Sequence, residues 1–323
     1  MSEAPLILAV PSKGRLQENA AAFFGRAGLV FTQSRGARDY RGTLAGVPNV
    51  EVLFLSASEI VTQLASGAAH LGVTGEDLIR EQIADADSVI EILTPLGFGH
   101  ANVVVAVPQA WIDVRTMSDL DEVAADLRAR HGRKMRVATK YVNLTRRFFA
   151  EKGVADYRIV ESLGATEGAP GSGAAELIVD ITTTGGTLSA NALKILDDGV
   201  ILRSEANLVA SVRAPWSEAA RFAAKTVLNR IAAEEEARTS REIRAAIEAD
   251  RQTDLERALS EFGATMPFGV GNGSVTIHCR AGDMFDLVET LRGLGARDIS
   301  VRTLDYVFRN TNPLTDRLFR RLT

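Results

Sequence analysis

Short apolar runs alternate with amphipathic stretches up to about residue 215, and that alternation narrows the possible folds more than any other feature. The runs "LILAVPS" (6–12), "VEVLFLSA" (50–57), "LGVTG" (71–75), "NVVVAVP" (102–108), "RVATKY" (136–141) and "ELIVDIT" (176–182) have the length and apolar density of buried strands. Between them, segments 15–27, 58–66, 118–131 and 143–152 carry apolar residues at helical spacing. Strands this continuously apolar are covered on both faces, so the pattern predicts parallel sheets packed against helices. Two such sets, before and after about Pro108, predict an α/β chain of two lobes with a cleft between them. Ligands of such sheets sit at the carboxyl ends of strands.

The pattern changes near residue 215. Trp216, Ala219, Ala223, Val227 and Ile231 recur at helical spacing, and the stretch 232–262 is charged and helix-favouring. Then "MPFGVGNGSVTIHC" and "MFDLVETLRGLGARDISVRTL" read strand, turn, strand, helix, strand, a small α+β module with a boundary around 225–250. The glycines of "GVGNG" (269–273) lead into a strand rather than a helix, so they fit a hairpin with an Asn-Gly turn and not a dinucleotide loop. In that strand His278 reads as half-exposed and Cys279 as a buried thiol.

Charge excludes one class of partner. With 37 basic against 41 acidic residues the net charge is −4, which leaves no footprint for nucleic acid. A single cysteine allows no disulfide framework, and four scattered histidines supply no Cys/His metal cluster. The N-terminal stretch has an acid where a signal peptide carries positive charge, and no apolar run approaches the ~20 residues of a membrane span. The expectation is a soluble cytoplasmic protein without membrane partners.

Chemistry concentrates in "LIVDITTTGGTLSAN" (177–191). A buried strand ends in Asp180, then a Thr/Gly turn opens a helix. Free amides in such a turn and the helix dipole favour an anion, glycines let a phosphate approach closely, and threonine hydroxyls add donors. Asp180 suits sugar hydroxyls, or a magnesium ion carried on the phosphate. Upstream, "SKGR" puts Lys13 and Arg15 at the end of the first strand, where two cations can meet phosphates. Arg35, Arg38 and Arg41 are further phosphate candidates, at least one of them an ordinary solvated charge. Glu76 and Asp77 follow "VTG", where they can cap a helix or face the cleft, capping being the plainer reading. Strand polarity places Lys140 and Tyr141 at the cleft.

The stretch "ATEGAPGSGAAELIVDITTTGGTL" resembles the signature of the ATP phosphoribosyltransferase family through Glu167, Gly173, Ala175, Ile178, Asp180, Ile181, Thr184, Gly185, Thr187 and Leu188. "VPSKGRL" (10–16), "LGVTGEDLI" (71–79) and "VATKYVNLTRRFF" (137–149) are similar to other segments of that family in the same order. The resemblance implies transfer of the 5-phosphoribosyl group of phosphoribosyl diphosphate to N1 of ATP, with Mg2+ on the departing pyrophosphate. It implies Asp180 and Glu167 at the ribose hydroxyls and Thr183, Thr184, Gly185, Gly186 and Thr187 around the 5-phosphate. For the phosphates of ATP or the diphosphate it implies Lys13 and Arg15, with Arg38, Glu76, Lys140 and Tyr141 nearby. No protein ligand to the metal is assigned.

The length resembles the family's long form, which implies two lobes like periplasmic binding proteins, a ferredoxin-like (ACT-like) regulatory domain that binds histidine, and dimers to hexamers. The boundaries so implied are 1–107 with about 200–225 for lobe I, 108–199 for lobe II, and about 240–323 for the regulatory domain and a tail. One segment departs. The module's first strand falls at 241–250, where "REIRAAIEAD" favours helix, so histidine inhibition is an expectation without assigned contacts. Two other readings compete. An ordinary base phosphoribosyltransferase predicts a second acid beside Asp180, where Ile181 stands, and a non-catalytic two-lobe binding protein leaves the Thr/Gly loop unexplained.

Overall fold

The computed structural model describes residues 4–33, 40–162, 164–248, 251–271 and 273–322. They form two compact units. The first comprises Met1–Phe23, Phe31–Arg221 and Arg317–Thr323, the second Phe24–Val30 and Phe222–Asp316.

The chain begins with β1 (Leu6–Pro11), α1 (Gly14–Arg26), β2 (Phe31–Gln33), β3 (Arg41–Leu44), β4 (Val50–Leu55) and α2 (Ala57–Ser66). It continues through β5 (Leu71–Gly75), α3 (Glu76–Gln82), α4 (Ala86–Val89) and β6 (Ile90–Pro95). Next come β7 (Asn102–Pro108), α5 (Met117–His131), β8 (Met135–Thr139), α6 (Val142–Glu151), β9 (Tyr157–Glu161), β10 (Leu177–Thr182), α7 (Gly186–Ala190) and β11 (Leu193–Leu202). After β12 (Ala206–Ser211), the long α8 (Glu218–Thr239) leads from the first unit into the second.

The first unit holds two sheets. One runs β2-β3-β4-β1-β5-β12-β6, the other β11-β7-β10-β8-β9. Their centres are parallel, as the apolar runs predict: β4, β1 and β5 in one, β10, β8 and β9 in the other. The expectation of wholly parallel sheets is corrected, because β12 runs antiparallel between β5 and β6, and β7 antiparallel between β10 and β11. The cause is connectivity. The chain crosses from the first sheet to the second and back, and the strand that enters each sheet at a crossing, β7 or β12, runs against its centre, while the strands that leave, β6 and β11, run with it. The crossings lie at 96–101 and 203–205, not at 107/108 and 199/200, since β7 and β11 belong wholly to the second sheet. The two crossing segments pair with each other: Leu96 N donates to Ala206 O, Ala206 N to Phe98 O, and Ala101 N to Ser204 O, each at 2.9 Å.

Near-continuous apolar strands are buried on both faces, as in β1, β7 and β12. One core surrounds β7, β8 and β10 with Val105, Val137, Leu177 and Val179 against Phe149 and Tyr141 of the α6 corner. Another joins α2, through Ile60, Val61 and Leu64, to Ala9 and Val209. The helix α2 starts on a reciprocal cap, with Glu59 N donating to Ser56 Oγ and Ser56 N to the Glu59 carboxylate.

The second unit continues with β13 (Ser240–Ala246), α9 (Gln252–Glu261), β14 (Val270–Gly271), β15 (Ser274–Arg280), α10 (Met284–Gly293) and β16 (Arg297–Arg302). Its sheet, β14-β15-β13-β16, is antiparallel throughout, and β14–β15 is the hairpin expected of "GVGNG". The helix-favouring reading of 241–250 is overturned. Residues 240–246 form the inner strand β13, paired with β15 and β16, and Ile243, Ala245 and Ile247 alternate into the core. Tertiary pairing outweighs the helical propensity of Ala, Glu and Arg. His278 is also corrected from half-exposed to buried, at 8% exposure. A last helix, α11 (Pro313–Arg321), returns to the first unit, where Arg317 Nη1 donates to Ile92 O and Leu93 O and Arg321 meets Glu91.

Candidate active site

The Thr/Gly turn lies at the carboxyl end of β10. Leu177, Ile178 and Val179 are fully buried, and Asp180, one step further, is half-buried where the strand leaves the core. Thr183, Thr184, Gly186 and Thr187 are exposed. The turn is held by its own hydroxyls: Gly185 N donates to Thr182 Oγ1 at 2.8 Å, and Thr183 Oγ1 donates to His100 O in the crossing segment at 2.9 Å. Gly185 adopts φ 78°, a left-handed conformation that favours glycine, and a Cβ there would meet open space rather than protein. The requirement is therefore conformational, and the first amides of α7, which have no acceptor within their helix, open into the same space.

A short 3-10 turn, Thr166–Gly168, carries Glu167 beside Asp180. It is entered through Ala165 at φ 48°, a strained conformation for a residue with a Cβ. Burial raises the Asp180 carboxyl above its ordinary value. The Ile181 amide at 2.8 Å and the charge of Lys140 pull it down, the neighbouring Glu167 pushes it up, and the Thr166 hydroxyl pulls it down. Two acids and one cation thus share one patch, an arrangement suited to hydroxyls and to developing positive charge on a sugar ring. As metal donors, two carboxylates fit Mg2+ only if phosphate oxygens or waters complete an octahedron.

Lys13 and Arg15 are exposed at the carboxyl end of β1, where Gly14 turns into α1 at φ 68°. Neither is ion-paired among the described residues. Arg35 and Arg38 lie outside the described residues, and Arg41 pairs with Glu51 at 2.9 Å, the bland reading of that basic loop.

Three expectations change. Glu76 and Asp77 do not cap α3, whose N-cap, Gly75, has no side-chain cap bond. Glu76 is drawn to Arg80 at 3.2 Å, and Arg80 also meets Asp87 at 2.8 Å. Asp77 is buried, accepting from Tyr141 Oη at 2.7 Å and from Ser204 Oγ at 2.9 Å. Tyr141, expected at a phosphate, is 1% exposed and points into the core, because the chain turns inward after β8. Burial and then the Asp77 carboxylate push its hydroxyl far up, so it stays a donor. Lys140 is exposed, with Nζ 5.1 Å from the Tyr141 ring centroid. The Asp77–Ser204 pairing lies outside any reading of the sequence, since 127 residues separate the partners and no local pattern joins them.

In the second unit, a cavity of about 390 Å3 is lined by Thr239, Thr265, His278, Arg280 and Arg309 among others. Neither ring nitrogen of His278 has a hydrogen-bond partner among the described residues, and Glu242 stands 3.7 Å away.

The chain matches the family model described as HisG, ATP phosphoribosyltransferase, over residues 56–233. The ATP phosphoribosyltransferase of Nitrobacter winogradskyi is 61% identical over 315 residues, 97% of each chain, and that of Afipia carboxidovorans is 60% identical over 316 residues, again 97% of each. Among solved structures, the ATP phosphoribosyl transferase (HisG:HisZ) complex from Thermotoga maritima aligns with a TM-score of 0.52 at 25% identity, covering 70% of this chain and 98% of that one.

Proposed function

This chain belongs to the ATP phosphoribosyltransferase family, and on that premise we propose that its site joins N1 of ATP to the anomeric carbon of phosphoribosyl diphosphate with release of pyrophosphate, the first step of histidine biosynthesis. The observation that carries the reading is the half-buried Asp180 at the end of β10, followed by the exposed 183–187 loop. The loop's amides and the hydroxyls of Thr184 and Thr187 hold the 5-phosphate. Asp180 and Glu167 accept from the ribose hydroxyls. As the bond to pyrophosphate lengthens, positive charge grows on the ring, and the two carboxylates stabilise it without forming a covalent intermediate. Lys13 and Arg15 neutralise phosphates across the site, and Lys140 supplies a third cation beside Asp180. Mg2+, bound to the diphosphate, would help the leaving group carry its charge.

Histidine inhibition belongs to the same reading. The strand β13 gives the C-terminal module the order β-α-β-β-α-β, and the cavity beside His278 is the candidate seat for an effector. Assembly as a homo-oligomer and a cytoplasmic location complete the reading. Among the described residues no helix is long and apolar enough to cross a membrane.

The test is direct. Purified protein is mixed with ATP, phosphoribosyl diphosphate and Mg2+, with pyrophosphatase present to draw the reaction forward. The expected result is the near-ultraviolet absorbance of phosphoribosyl-ATP, suppressed by added histidine. Folded protein that makes no product overturns the catalytic reading, and product indifferent to histidine overturns the regulatory one alone.

A further inference from the structure

Asp77 is 5% exposed, and no cation pairs with it among the described residues. Burying a carboxylate in this way is costly unless hydrogen bonds satisfy it. Its bonds come from two other parts of the fold. Tyr141 Oη donates to Oδ2 at 2.7 Å from the β8–α6 corner, and Ser204 Oγ donates to Oδ1 at 2.9 Å from the second crossing segment. The Asp77 amide in turn donates to Ser204 Oγ at 3.0 Å. The corner is fixed from its own side as well. Tyr141 N donates to Thr139 Oγ1 at 2.8 Å, and Thr145 Oγ1 donates to Tyr141 O at 2.6 Å. Beside these bonds, the Glu81 carboxylate accepts from Asn143 N and Leu144 N at 2.9 Å, so α3 caps α6 across the two sheets.

The exposed face of this corner carries Lys140, whose ammonium lies 5.1 Å from the Tyr141 ring centroid and whose charge reaches Asp180. A flexible, exposed lysine would ordinarily sample many rotamers. Here the residue that follows it is locked at both backbone and hydroxyl, and the locked ring forms the surface under the ammonium. We propose that Tyr141, held by Asp77 and Ser204, is a positioning residue that sets the Lys140 ammonium beside Asp180 for the phosphoribosyl diphosphate substrate. The inference rests on the reading of Asp180 and Lys140 as parts of the site, and adds to it three buried residues that touch no substrate. It also gives the buried carboxylate a purpose: Asp77 joins the crossing segment to the corner that carries Lys140.

The experiment is a double-mutant cycle with steady-state kinetics. Tyr141→Phe removes one hydroxyl and keeps the ring. It is expected to raise KM for phosphoribosyl diphosphate, or lower kcat, by about fivefold or more, the scale of one lost hydrogen bond to a charged group. KM for ATP is expected to change less. Lys140→Ala is expected to cost at least as much. If Tyr141 acts through Lys140, adding Tyr141→Phe to Lys140→Ala costs little further, whereas independent structural damage multiplies. Asp77→Ala is expected to reproduce the Tyr141→Phe kinetics, and Asp77→Asn, which keeps an acceptor for Tyr141 but presents an amide donor where Ser204 Oγ now donates, to recover part of the loss. Melting curves for each variant confirm that assays run on folded protein. Unchanged kinetics in Tyr141→Phe while Lys140→Ala is impaired overturn the positioning role, as does a multiplicative double mutant. Unchanged kinetics in Lys140→Ala overturn the reading of Lys140 on which the inference stands.

Discussion

Asp180 shows how one residue can be set against the fold that carries it. Burial raises its carboxyl above the ordinary value, so the folded protein disfavours the charged form. A raised folded-state value contributes stability below the unfolded pKa, and that contribution is lost as pH rises through the folded value. At neutral pH the carboxylate is therefore a net cost to folding, which the proposed role at the ribose hydroxyls would explain. Asp180→Asn is expected to abolish turnover while leaving the melting temperature equal to or above that of the parent. The difference should widen as pH rises out of the carboxylate range and close in acid, and parallel thermal melts from pH 4 to 8 check it. His70 has the opposite sign. Its Nδ1 accepts from Ile7 N at 3.1 Å and its Nε2 faces Pro215 O at 3.3 Å, which fixes the neutral tautomer, and burial depresses its pKa. The stability it contributes is present above the ordinary histidine value of about 6.5 and is lost as pH falls through the folded value. Denaturant titrations are expected to show stability dropping below that pH in the parent, with a flatter slope in His70→Gln. Of these two residues only Asp180 was legible in the sequence, because its neighbours on both sides are local. The partners of His70 lie 63 and 145 residues away.

Elements were legible where their pattern is local and strong. The apolar runs at 6–12, 50–57, 71–75 and 102–108 lie on β1, β4, β5 and β7, and the segments at 15–27, 58–66, 118–131 and 143–152 lie on α1, α2, α5 and α6. The strand β13 was misread because the composition of "REIRAAI" is helical while its alternation, with Ile243, Ala245 and Ile247 inward, is that of a strand. The alternation is short, and pairing on both sides decides the outcome. The cap of α6 was hidden for another reason, since it is no neighbour in sequence but Glu81, some sixty residues upstream. Removing that carboxylate leaves two amides without acceptors. Glu81→Ala is expected to destabilise the protein by about 1–2 kcal/mol, with Glu81→Gln intermediate, as measured by urea denaturation. Equal stability of Glu81→Ala and the parent would mean that water replaces the cap at no cost.

At the scale of the whole molecule, the sequence showed two α/β sets but not where the chain passes between them. β7 and β10 are both apolar strands, and nothing in their composition says that one runs antiparallel to the other. That direction follows from the two crossings, whose paired segments at 96–101 and 203–206 are a long-range fact. The tail was equally unreadable. Polar and arginine-rich, α11 lies in the stretch read only as a tail, yet Leu318 is fully buried and Arg317 and Arg321 bind the carbonyls and carboxylate of β6. The chain thus leaves the first unit through α8, builds the second, and ends back on the first. Burial of one leucine stabilises by roughly 1.5–3 kcal/mol, while each exposed arginine pair adds well under about 1 kcal/mol. Ending the chain after Asn312 is therefore expected to lower the unfolding free energy of the first unit by about 2–3 kcal/mol. Leu318→Ala alone should give most of that loss, and Arg321→Ala little of it. Denaturant melts on the three variants separate the contributions. A truncation as stable as the parent would show that α11 merely rests on the first unit, and that closure of the chain onto itself adds nothing to its stability.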